Sequence, residues 1–209
     1  MKYKFLIFCI FSFFVNAQEV KIEMISKLDN GDFGSKEFFL NSFEGINIVD
    51  YTFNNSENIV GKDFKIIIRK YSKGKLEFEK IVVDTKADEM PKIEKDFNFS
   101  VFSKQTRGQQ KIMIAFPTMR FFYRKAFELN KKFEDGIYDY RELVDDSNTG
   151  KKTFELGKEV QLGLITPPND NPQKGQLGYC EVTKSEIIID EWYKKYQISE
   201  FFIIYLKIE

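Results

Sequence analysis

Read for its apolar and polar positions, the chain is a succession of short alternating runs rather than a series of 3.6-residue repeats. The clearest unit is FKIIIRKYSKGKLEFEKIVVD, residues 64–84. Two β-branched and aromatic runs flank Ser72-Lys73-Gly74-Lys75, where the glycine supplies the positive φ that a tight hairpin requires. Leu76 and Phe78 alternate with Glu77 and Glu79, as in a strand with one face in water. The alternation fails at Lys80-Ile81-Val82-Val83. FNFSVF, 97–102, alternates in the same way, and KIMIAF, 111–116, is apolar enough for burial on both faces before Pro117 stops it.

Further strands are expected at 20–28, 46–53, 121–129, 137–144, 160–165, 178–189 and 201–208. Turn signals separate them: Asp29-Asn30-Gly31, Asn54-Asn55-Ser56, Asp135-Gly136 and Asn148-Thr149-Gly150. Many short strands spaced by such turns predict an all-β chain. The expected architecture is an antiparallel β-sandwich in a jelly-roll or Ig-like arrangement, with a small β-barrel as the alternative. At most one or two short helices fit. The best helical stretch is DEWYKKYQ, 190–197, with Asp190 as cap and Trp192, Tyr193 and Tyr196 on one face; at two turns it reads as a connector.

The N-terminus is set apart from this pattern. MKYKFLIFCIFSFFVNAQ has Lys2 and Lys4 before an apolar run at 5–14, then Val15-Asn16-Ala17 with small residues at −3 and −1. That layout resembles the signal peptides of exported proteins from Gram-negative bacteria, and the run is too short to span a bilayer. Expected domains are a signal peptide at 1–17 and a single β domain at 18–209. The charged stretch 86–95 around Met90-Pro91 is a possible subdomain boundary. No later run reaches the roughly 18 apolar residues of a membrane helix. The expected location is therefore periplasmic or extracellular.

Composition removes mechanisms more than it suggests them. The 209 residues contain no histidine and only two cysteines. Without imidazole there is no Ser-His-Asp or Cys-His catalysis and no His-ligated zinc. Cleavage after Ala17 removes Cys9, so Cys180 has no intramolecular partner in the mature chain. The mature chain then carries 30 basic against 32 acidic residues, a formal charge of −2. Interspersed charge of this kind gives no basic footprint for nucleic acid. The heavy use of Lys, Phe, Ile and Asn matches an AT-rich bacterial coding bias.

The candidate binding residues fall in two stretches. In MRFFYRKAF, a strand places Arg120, Phe122 and Arg124 on one face and Phe121, Tyr123 and Phe127 on the other. Two guanidinium groups beside an aromatic suit a carboxylate, phosphate or sugar acid; the plainer reading pairs them with acids such as Glu128. In ITPPNDNPQKGQLGYC, 165–180, two prolines stiffen a long loop containing Asn169, Asp170, Asn171 and Lys174, a recognition element or a passive connector. Cys180 beside Val182 reads as core packing. DDSNTG, 145–150, and LDNGDFG have acidic spacing wrong for calcium loops and are sufficient as hairpin turns. No cofactor is implied.

The expected function is an exported, non-enzymatic module that binds a small molecule, glycan or protein. One alternative is a glycan or peptide hydrolase using carboxylates such as Glu128, Asp139, Glu142 and Glu155. Another is an inhibitor or immunity-type protein.

Overall fold

The computed structural model describes residues 20–29, 31–54, 56–106, 111–117, 121–129, 138–167, 188–196 and 198–209. In chain order its elements are β1 (Lys21–Leu28), α1 (Lys36–Glu44), β2 (Ile46–Asn54), a 3-10 turn (Ser56–Asn58), β3 (Phe64–Ser72), β4 (Lys75–Asp84), β5 (Asn98–Thr106), β6 (Lys111–Pro117), β7 (Phe122–Glu128), β8 (Asp139–Glu142), β9 (Lys151–Glu155), β10 (Glu159–Thr166), α2 (Ile189–Tyr196) and β11 (Glu200–Ile208). The strands form two antiparallel sheets. One has six strands in the order β7-β6-β5-β2-β1-β9, the other five in the order β4-β3-β11-β10-β8. This is a β-sandwich, not a closed barrel.

The period of two in the sequence builds the core directly. The six-stranded sheet turns Ile22 and Met24 of β1, Val49 and Tyr51 of β2, Phe99 and Val101 of β5 and Ile112, Ile114 and Phe116 of β6 inward. The five-stranded sheet meets them with Phe64, Ile66 and Ile68 of β3 and with Phe202, Ile204 and Leu206 of β11. The other face of β11 is buried too: Phe201, Ile203 and Tyr205 lie under Trp192 and Tyr196 of α2. A central strand covered on both sides must read as a continuous apolar run, and FFIIYLKI does.

The β3–β4 hairpin turns at Lys73 and Gly74, both at positive φ (50° and 76°), as a primed two-residue turn demands. The failure of alternation in β4 is a bulge. Ile66 pairs Val83 and Ile67 pairs Ile81, so Val82 is the extra residue and both valines are buried. Residues 86–95, offered by the sequence as a subdomain boundary, lie on the crossing from β4 in one sheet to β5 in the other. Ile93 enters the common core, and its backbone bonds Gly61 and Lys62 on both sides.

Several expectations need correction. Helix α1 and strand β9 fall where the pattern announced nothing, and the expected strand 137–144 contracts to Asp139–Glu142. The strand expected at 178–189 does not reach its stated end, because Ile189 opens α2; most of that stretch lies outside the described residues. Asp190 therefore sits in the first turn rather than at the cap. Nor is α2 a bare connector, since it buries Trp192 and Tyr196 against the five-stranded sheet.

Candidate ligand-binding groove

The outer face of the six-stranded sheet carries the residues that the alternation sends away from the core. Register sets them in rows across the strands. Arg124 of β7 stands beside Ala115 of β6, which stands beside Phe102 of β5. In the next row Met113 pairs Lys104, and Lys104 pairs Ile46 of β2. Phe122, opposite Pro117, closes one end. Together these side chains line an open groove of about 140 Å³ with an apolar floor.

Helix α1 borders this groove. Ser35 caps its start, its side chain accepting the Phe38 N–H at 3.0 Å, and Gly45 ends it in the left-handed conformation. Two residues beyond its C-terminal Glu44 comes Ile46, which lines the groove. Glu44 itself forms an ion pair with Lys104. None of α1's residues is buried, and Phe39, Leu40 and Phe43 are 59%, 51% and 85% exposed, with Phe33 at 90% just ahead of it. Scattered exposed apolar residues are ordinary, but four on one short stretch beside an apolar groove form a patch of the kind that marks an interaction surface.

Arg124 is the groove's distinguishing charge. Lys104 is neutralised by Glu44, and Lys111 is answered by Glu128 at 3.5 Å. Arg124 has no carboxylate partner among the described residues; Glu128, the acid the sequence offered it, is taken by Lys111. The groove is thus apolar with an uncompensated guanidinium at its rim, an arrangement suited to a ligand that carries an apolar group and a carboxylate.

Of the residues singled out in the sequence, Phe122 and Arg124 lie together on this face, with Tyr123 and Phe127 on the opposite side of β7. Arg120, Asn169, Asp170, Asn171, Lys174 and Cys180 lie outside the described residues, as does residue range 1–19. KIMIAF is buried on its inner face and only partly on its outer one: Ile112, Ile114 and Phe116 enter the core, while on the groove floor Ala115 is buried and Met113 half-buried. Ile46, Phe102, Lys104 and Met113 were missed as site residues. The signal of the three apolar ones, an apolar residue on the polar phase of an alternating strand, emerges only once register aligns four strands; Lys104 carries none of its own.

No family model, curated protein or solved structure matches this chain. Function must therefore be argued from its geometry.

The carboxylates suggested for hydrolysis do not converge as that chemistry needs. Glu128 and Glu155 sit on β7 and β9, opposite edges of the six-stranded sheet. At a strand spacing near 4.8 Å that is about 24 Å, against the 5–10 Å of paired catalytic carboxylates. Glu142 faces the interior, where its charge, after burial and the Tyr140 hydroxyl, raises the Tyr51 pKa. The Asp139 side chain lies outside the described residues. The acidic turn at 145–150 spends its oxygens on nearby protein donors: Asp146 accepts the Asn148 N–H and the Thr149 hydroxyl, both at 2.9 Å, and Asp145 accepts the Thr153 N–H at 2.9 Å. Among the described residues no helix is long and apolar enough to cross a membrane.

Proposed function

We propose that the chain is an exported, non-catalytic β-sandwich module whose outer groove binds a protein partner, seating an apolar side chain and holding a neighbouring carboxylate on Arg124. Export rests on the signal-peptide layout of residues 1–17. The observation that carries the binding reading is the apolar groove with, at its rim, an arginine that has no carboxylate partner among the described residues, bordered by the exposed aromatics of α1.

Size favours a protein over a free small molecule. Small-molecule pockets run to roughly 300–1,000 Å³ and enclose most of their ligand. A groove of about 140 Å³, open on one side, accommodates one side chain of a larger surface. The flanking Phe39, Leu40 and Phe43 extend the contact beyond the groove, as an interface core surrounded by further apolar area does.

The test is comparative affinity capture from the envelope and medium of the exporting cell, using the mature chain and two variants. Arg124→Glu reverses the rim charge, and Ala115→Trp fills the floor. A partner enriched by the native chain, and weakened roughly ten-fold or more by each variant, supports the reading. Identical captured sets from all three chains would overturn it.

A further inference from the structure

The two edge strands on one side of the sandwich, β4 and β7, face each other across its open seam. Phe78 of β4 stacks on Phe127 of β7 with ring centroids 5.8 Å apart and planes 12° from parallel. Two residues along each strand from that contact stand Lys80 and Lys125. Register sets both on the core-facing side of their strands, since Lys80 pairs Ile68 and Lys125 pairs Ile114, both core residues; at the open seam Lys80 is exposed and Lys125 half-buried. The stacked rings thus set Lys80 and Lys125 side by side along the seam, and the Lys80 ammonium holds the Lys125 pKa below its ordinary value. Burial raises the pKa of Tyr123, next but one to Lys125, and the charge of Lys80 opposes that shift. Neither lysine has a carboxylate partner among the described residues.

Inward-pointing lysines on edge strands have a known use, since they block edge-to-edge pairing. One lysine per edge suffices for that, as buried Lys152 on β9 illustrates. Setting two against each other adds a like-charge repulsion that edge protection does not need. We propose that this seam is a binding site for a doubly charged tetrahedral oxyanion of the phosphate or sulfate class, clamped between Lys80 and Lys125 with the Tyr123 hydroxyl as a further donor. Two ammonium groups balance the dianion's charge, and its oxygens replace the repulsive contact with charge-assisted hydrogen bonds. The site lies on the inner side of β7, opposite the groove, and does not depend on it.

The experiment is thermal unfolding of the mature chain in inorganic phosphate, sulfate or acetate at matched ionic strength, beside Lys80→Gln and Lys125→Gln. The native chain is expected to gain on the order of 5 °C in Tm at saturating phosphate or sulfate. Acetate should give less than half of that gain. Each variant should start with a higher Tm in chloride, free of the repulsion, and gain little from phosphate; general salting-out by phosphate remains in the variants and subtracts out. Equal phosphate gains in the native chain and both variants would overturn the site. Acetate matching phosphate would overturn the assignment to a dianion.

Discussion

At the scale of single residues, the sandwich depends on a few polar groups closed inside it. Lys70 of β3 and Glu200 of β11 are 6% and 2% exposed and pair at 2.8 Å. Tyr138 donates to the second Glu200 oxygen at 2.7 Å, and Glu77 adds a partner for Lys70 at 3.0 Å. Burial disfavours the Lys70 ammonium, yet Glu200 and Glu77 outweigh it and hold its pKa above the ordinary value. Removing one member strands the other. Glu200→Ala is expected to cost about 3–5 kcal/mol in urea unfolding, whereas the double change Lys70→Met with Glu200→Leu should cost clearly less. A double variant as damaging as the single one would show that the pair itself stabilises the fold. Gly163 is constrained differently: a Cβ there would overlap the Tyr140 hydroxyl and come within 2.7 Å of the Arg141 carbonyl. Gly163→Ala should destabilise by about 1–3 kcal/mol in the same assay, and a neutral result would mean that Tyr140 has room to move.

At the scale of elements, the sequence was legible wherever one face of a strand is wet and the other dry. The hairpin at 64–84 carried its turn and one of its two register slips in plain view, because Lys80-Ile81-Val82-Val83 breaks period where the first slip falls; the second, between Lys70 and Tyr71, falls inside the alternating run 76–79 and leaves Leu76 exposed. Helix α1 was illegible for the opposite reason: it buries nothing, so no apolar stripe marks it, and only Ser35 and Gly45 at the spacing of its two caps signal its ends. Such a short helix without packing is marginal. Ser35→Ala should speed amide exchange through α1 while moving the global unfolding free energy by less than about 0.5 kcal/mol. Trp192→Ala, which strips α2 of its buried anchor, should cost about 3–5 kcal/mol. Similar global losses from both changes would contradict this ranking.

The β3–β11 junction gives a pH test at the same scale. Hydrogen bonds from Lys207 and Lys65, at 2.6 and 2.8 Å, hold the Glu209 carboxyl down to about 2 from its ordinary 4.5. A depressed carboxylate adds stability above its unfolded value and loses it as pH falls through the folded one. The native chain should therefore lose urea resistance between pH 4.5 and 2, and Glu209→Gln should remove part of that slope. Parallel pH profiles would show that these ion pairs carry no net stability.

At the scale of the whole molecule, two faces of one fold behave differently. The five-stranded sheet covers its outer side with α2, whereas among the described residues nothing covers the six-stranded sheet at Met113 and Phe122, and α1 lies beside it rather than over it. The sequence showed Phe122 and Arg124 as neighbours on one strand. It did not show the groove, because that surface draws on residues from 46 to 124 that only sheet register brings together.

On this account a partner docks on the face that carries the groove. The most direct measurement is site-specific photo-crosslinking in the exporting cell, with a photoreactive phenylalanine analogue at position 122 and, as control, at Leu76, equally solvent-facing on the other sheet (54% against 60% exposed). A discrete crosslinked product from position 122, missing at position 76 and lost on Arg124→Glu, is the predicted result. No product at position 122, or the same product from both positions, would contradict a docking role for the groove.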